Sequence, residues 1–405
     1  MSWRQSGPPA AFWALVVCLV LPSLAQVEKY TGRRGMVGYA VLAPVALWTA
    51  RGWILPWARR RLPARAAGWL ALATGLALVP AFRVLLTLAN SGRFGPGSDT
   101  DEAYDQAVAA LLAGRYPYDP VTYLGNRIHH LPGALLLATP FVVLGTSAYQ
   151  NLFWLALLFL VARRLLGSTR EALLLAWAVP LLSPVVAQQA ITGADAVTNG
   201  AQVAVLAWCA VEARGGWQVA SALGFGLALS SRPNFLLAAL PVLGCLAARR
   251  GWAEAIRRLA LAGAAWLAVT LPFYLHDPGG FAPLEGANRL SRFAGILPDP
   301  TLVIAGAATL LSALLAWRRA TRSTEGLLGA IALGQAFVVV AGIALSSIQA
   351  GAFDPGYAGY GGFFLPAGVL AWWRDATSPG PALAGMLAGG AAAPERPEPG
   401  RQWRC

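Results

Sequence analysis

The residues best suited to chemistry in this 405-residue chain are carboxylates crowded into one polar stretch. Asp99, Asp101, Glu102, Asp105 and Asp119 all fall between residues 90 and 130, and His129 and His130 close the stretch. An ionised carboxylate can take the proton of an attacking hydroxyl, which is general-base chemistry, provided its oxygen reaches that proton. Asp99, Asp101 and Glu102 open a short amphipathic pattern. Ala103, Tyr104, Ala107, Val108, Leu111 and Leu112 make its apolar face, which ends at Gly114. Acidic residues in a first turn also complement free backbone N–H groups and the helix dipole, and Asp99-x-x-Glu102 has capping-box spacing. Taken alone the pattern favours the cap; the surroundings of the loop decide whether it does more.

Those surroundings are hydrophobic. Of all residues 57% are hydrophobic and only 12% charged, with the apolar ones in long runs, which excludes an ordinary soluble domain. The net charge of +13 does not read as nucleic-acid binding, because the arginines sit as pairs and triplets in short gaps between apolar runs. Runs of roughly 17 to 25 residues predict spans near 10–26, 36–57, 67–89, 149–166, 171–190, 196–213, 259–275, 300–317 and 327–348, with a shorter one near 360–374. The expected fold is all-α, a polytopic membrane protein of about 10–12 transmembrane helices. Arg59 to Arg61 with Arg65, Arg163 with Arg164 and Arg170, Arg249 with Arg250, Arg257 and Arg258, and Arg318 with Arg319 and Arg322 mark the cytoplasmic gaps. Arg33 and Arg34 run against that rule. The acidic loop is then expected outside, in a plasma (inner) membrane of bacterial type.

Two stretches are too short to cross. Residues 131–145 reach about 22 Å of a ~30 Å core and contain Pro132 and Pro140, which predicts an interfacial helix. Residues 217–231 and 234–248 flank Ser231-Arg232-Pro233-Asn234 and predict a hairpin of short helices lining a cavity. The first segment, with Arg4 ahead of it and Ser23 and Ala25 after it, also has the form of a secretory signal. Three units result: N-terminal helices over 1–66, a catalytic membrane domain over 67–374 with its outer loop at 90–148, and a disordered cytoplasmic tail over 375–405. Cys18, Cys209, Cys245 and Cys405 show no metal-ligand spacing and no disulfide framework.

Several stretches, taken in order, carry a family resemblance. SDTDEAYDQAVAALLAGRYPYDP, with its amphipathic helix and Pro-Tyr ending, is similar to the acidic first outer loop of the GT-C superfamily of membrane glycosyltransferases. HHLPGALLLATPFVVLG resembles that family's His/Pro-led juxtamembrane helix, and VARRLLGS the cytoplasmic end of the next span. ITGADAV resembles its short outer turn with Asp, and ALSSRPNFLLAALPVL its Arg-Pro break within the membrane. Over residues 67–374 the resemblance implies inverting transfer of a sugar from a polyprenyl-phosphate donor to an acceptor hydroxyl on a lipid or glycan, in the manner of a mannosyltransferase. It puts the catalytic base at Asp101 or Glu102, with Asp99 as the competing alignment. It leaves a divalent metal open, since members differ, and Asp99-Thr100-Asp101 is the only short D-x-D match.

A leaving phosphate needs a cation or hydrogen-bond donors. Arg232 is the first candidate, because an arginine between short apolar helices is costly unless it is paired or lines a polar cavity; its bland reading is a side chain snorkelling to the interface. Arg127, His129 and His130 can approach the same phosphate from the loop, while Tyr118 and Asn234 complete the expected substrate-binding set with Asp195. Asp195 either binds acceptor sugar, partners Arg232, or simply caps the helix after it. Other classes remain. A transporter would share the broken helices, although the halves show no internal repeat. A polymerase or ligase of lipid-linked glycans would share both topology and substrates, and a scaffolding protein would need fewer carboxylates.

Overall fold

The structure, a computed structural model, describes residues 9–93, 98–320 and 323–378. Arg4, Arg322 and the expected tail from 379 onward lie outside the described residues. Among those described, every regular element is a helix, apart from one isolated bridge between Val121 and Arg127. Six helices are long and apolar enough to cross a membrane, and a seventh span results if Thr169–Leu182 and Pro184–Thr192 count together. The chain is therefore an all-α polytopic membrane protein.

Where the count is smaller than the sequence reading, the cause is local. Ala10–Arg61 counts as one unit, yet it folds back on itself. Gly32 breaks the helix at φ 72°, a left-handed conformation that only glycine adopts cheaply. Phe12 then meets Trp48 edge-on with ring centroids 5.6 Å apart, so the two legs expected at 10–26 and 36–57 lie side by side. Ser23, expected near a cleavage point, is fully buried, and its Oγ lies 3.1 Å from Ser183 Oγ. Two expected spans are shorter than a full crossing, Ala196–Glu212 and Leu365–Thr377 having 17 and 13 residues, and the expected short helices Trp217–Leu229 and Ala239–Arg250 have 13 and 12.

The span expected at 171–190 is bent by 88° at Ser183. Pro184 has no N–H to continue the ladder and disfavours helical backbone at the residue before it, so Ser183 is extended at φ −132°, ψ 83°. Ser23 Oγ holds the corner by accepting from Val185 N–H at 3.2 Å. Pro184–Thr192 thereby runs across the bundle to the Gly193 turn. The second break is where the sequence puts it: Trp217–Leu229 stops at Ser230, Arg232 is extended, and Pro233–Ala238 and Ala239–Arg250 follow.

Ala196–Glu212 is the central helix, buried along most of its length. Its small residues permit close approach. A Cβ on Gly200 would stand 2.6 Å from Gly362 O, so the turn Gly356–Phe363 lies directly on the helix. At the arginine end, Arg59 clamps Glu171 at 2.8 Å and Thr377 O at 2.9 Å. Arg249 holds Glu212 at 2.6 Å, and the buried Arg258 donates to Glu254 at 2.6 Å and Ala210 O at 2.7 Å. The acidic loop and its partners gather at the other helix ends.

Candidate functional site

Thr100–Leu112 forms the expected amphipathic helix, and Ala103, Tyr104, Ala107 and Val108 are buried against Pro132–Val143. Its opening carboxylates do not cap it. No side-chain bond caps its N-terminus. Asp99 instead accepts from Thr122 Oγ1 at 2.6 Å and Asn126 Nδ2 at 2.8 Å, while Glu102 accepts from Gln106 Nε2 at 2.7 Å and Tyr123 N–H at 3.1 Å. Both hold the following loop in place. Asp105 accepts from Ser147 N–H at 2.7 Å, tying the helix to the start of Tyr149–Leu166.

Asp101 is different. It is buried, with one side-chain donor, Asn90 Nδ2, at 3.2 Å. It lies so close to the Gly193 turn that a Cβ there would sit 2.7 Å from its own Cβ. Gly193 has φ +72°, so the turn needs glycine for its backbone as well as for the space Asp101 fills. Burial pushes the Asp101 carboxyl up to about 6, against hydrogen bonds that act to lower it.

The centre of the site is Asp195, at the start of the central helix. Its Oδ2 alone accepts from Asn199 Nδ2 at 2.5 Å, Arg232 Nη2 at 2.8 Å, Tyr104 Oη at 3.0 Å and His130 Nε2 at 3.1 Å. Four elements converge here: the acidic helix, the His-Pro loop, the central helix and the Ser-Arg-Pro break. Burial acts to raise the Asp195 carboxyl, but the Arg232 charge and the His130 bond outweigh it and hold the group far below the usual carboxylate range. Burial and the Arg232 charge lower His130 to about 4, so its imidazole is neutral and Nε2 carries the hydrogen toward the ionised Asp195. Within this cluster, buried His130 Nδ1 and Arg232 Nε have no partner among the described residues.

Two cavities meet at this cluster. The first, of about 560 Å³, has apolar walls from Leu236, Leu237, Leu240, Ile304, Val338 and Val339 and a polar end with Arg232, Arg289 and His129. The second, of about 660 Å³, is lined by Asp195, Lys29, Ser98, Thr100, Gln188 and Thr192 among others. Arg232 faces the first and Asp195 the second, and Tyr360 borders both. Their ion pair is part of the partition. Asp101 lines neither cavity but stands just behind the wall of the second, which Ala89, Thr100, Thr192 and Ala194, all adjacent to its contacts or to itself, help to form.

The residues singled out from sequence divide accordingly. Arg232 and Asp195 are paired, and His130 joins them. His129 and Asn234 line the first cavity; His129 Nδ1 lies 3.0 Å from Ala282 O, and Asn234 donates to Gln335 at 2.5 Å. Arg127 lines neither cavity and is engaged with Glu285 and with Gly280 O at 3.0 Å. Tyr118 is buried and donates to His130 O at 3.0 Å, supporting the histidine rather than lining a cavity. Asp99 and Asp101 of the D-x-D match take separate partners, and no group of three metal-binding side chains converges among the described residues. Tyr104, Asn199, Arg289 and Lys29 were not marked by sequence. Asn199 carried a signal, since it follows Asp195 by one helical turn, and Lys29 is the only lysine in the chain.

Fold and site together define a polytopic membrane protein with two adjoining cavities, the second the more polar, that share one ion pair. No family model, no curated protein and no solved structure matches the chain.

Proposed function

We propose that this protein is a membrane glycosyltransferase, moving a sugar from a polyprenyl-phosphate donor to an acceptor hydroxyl on the outer side of a bacterial plasma membrane. The observation that carries the reading is the pair of cavities divided by Asp195 and Arg232. One cavity offers an apolar wall ending in two arginines and a histidine, which matches a lipid with a phosphate head. Its neighbour offers hydroxyl, amide and carboxylate groups, which match a sugar acceptor. The anomeric carbon would lie at the partition. There the acceptor hydroxyl attacks as the phosphate leaves toward Arg232, giving inversion.

Asp101 is the best candidate for the base. Asp99 and Glu102 are engaged in holding the loop, and Asp195 is too acidic in this setting to take a proton effectively. A carboxylate titrating near 6 combines ionisation at neutral pH with useful basicity. With full-length protein in lipid vesicles and a labelled polyprenyl-phosphate sugar, Asp101→Asn should lower turnover by about two to four orders of magnitude. Asp99→Asn and Glu102→Gln should lower it far less. Wild-type turnover in Asp101→Asn would remove this base, and no transfer by the wild-type protein from any such donor would remove the function. The bends at Ser183 and Ser230 also fit a transporter, and uptake of an unmodified solute into those vesicles would favour it. Products longer than one added sugar would mark a polymerase instead.

A further inference from the structure

The Asp195–Arg232 pair has an uncommon construction. Most buried ion pairs strand a charge when one partner leaves, which costs several kcal/mol. Here Asp195 Oδ2 has three further donors, Tyr104, His130 and Asn199, all of them neutral. Asp195 is thus solvated by the protein whether or not Arg232 is present. Arg232, for its part, gives Asp195 only Nη2, while its buried Nε has no partner among the described residues and its side chain lines the first cavity beside Arg289. A guanidinium with an unpaired Nε and an adjacent Nη can bind a phosphate through two parallel hydrogen bonds.

Resting on the phosphate-donor reading above, we propose that Arg232 exchanges between Asp195 and the phosphate of a prenyl phosphate ester entering the first cavity. Asp195 is then a resident competitor for the arginine. It weakens phosphate binding by its own charge, and when the phosphate takes Arg232, Oδ2 loses its one charged partner while keeping Tyr104, His130 and Asn199, so the carboxylate lining the second cavity becomes less neutralised. Loading of one cavity prepares the other, which orders the ligands: phosphate first, hydroxyl compound second. Asp195 acts here as a positioning residue, through Arg232.

The exchange predicts that removing a carboxylate from the site strengthens binding. With the full chain in detergent and farnesyl phosphate as probe, Asp195→Asn should bind about tenfold more tightly than wild type, as expected when a coupled competitor is lost. Tyr104→Phe should act oppositely. It removes a neutral donor, makes Asp195 depend more on Arg232, and should weaken binding a few-fold. Arg232→Ala should bind weakly with either residue at 195. Inorganic phosphate should bind more weakly than farnesyl phosphate throughout, because it leaves the apolar wall unused. Equal affinities for the two would keep the exchange and assign it to free phosphate. Wild-type binding with equal or weaker binding by Asp195→Asn overturns the exchange and leaves the donor reading standing. Binding of neither probe by wild type or Asp195→Asn overturns both. Should Asp195→Asn fail to fold, Tyr104→Phe decides, and unchanged or tighter binding there overturns the exchange.

Discussion

Asp101 pays for its position with a pH-dependent loss of stability. A carboxyl titrating near 6 in the folded chain and near 3.8 when exposed favours the fold most below pH 4, and that contribution is lost as pH rises through 6. The shift corresponds to at most about 3 kcal/mol. Asp101→Asn should therefore raise the unfolding temperature in detergent at pH 7, with the gain vanishing near pH 4. Activity should run the other way. As a base Asp101 must be ionised, so turnover should climb through an apparent pKa near 6, and that limb should be missing in Asp101→Asn. A variant that is both more stable and less active distinguishes a base from a cap, whose loss costs about 1 kcal/mol. The sequence marked Asp101 within a cluster of three but could not separate them, because the separation depends on Thr122, Asn126 and Tyr123 folding back to occupy Asp99 and Glu102. Tyr104 was legible only as part of an apolar face. Its ring does pack there, but its hydroxyl reaches Asp195, ninety-one positions away.

Among the elements, the two breaks were unequally visible. Arg232 and Pro233 interrupt an apolar run with a charge, so the sequence signals both the break and its use. Ser183-Pro184 interrupts nothing polar, and the run reads as one span. The corner depends on Ser23, whose hydroxyl meets Ser183 and the Val185 N–H. Ser23→Ala leaves that buried N–H without its partner, a loss of about 1 to 3 kcal/mol. The unfolding temperature should drop accordingly. Because Gln188 and Thr192 on the same short helix line the second cavity, acceptor KM should rise more than donor KM. An unchanged unfolding temperature would show that water or a neighbouring group replaces the serine.

For the whole molecule, the charge pattern predicts orientation. The Arg59–Glu171 and Arg249–Glu212 clamps occupy one set of helix ends, and the acidic loop, Asp195 and Arg289 the other. Ser168→Cys, beside the first clamp, should react with an impermeant thiol reagent only in inverted vesicles. Reaction in intact cells would reverse the proposed sidedness. Arg33 and Arg34, which run against the charge rule, sit at the Gly32 break, where Arg33 donates to Phe353 O at 2.9 Å. That contact gives one of the two a structural reason to lie there.

The hairpin at Gly32 also sets an order on biogenesis. Ala10–Val20 buries Phe12, Leu15, Cys18 and Leu19, and packs on Leu365–Thr377, where Cys18 lies 3.4 Å from Leu365 O and fills the space above Gly368. The first described helix is thus completed by a helix far along the chain, Cys18 and Leu365 being 347 residues apart. Until residue 365 emerges, the first helix has an open flank, and the bundle cannot close. In a chain carrying Cys209→Ser, Cys245→Ser and Cys405→Ser, a nascent polypeptide arrested before residue 365 should expose Cys18 to N-ethylmaleimide, and release of the full chain should protect it.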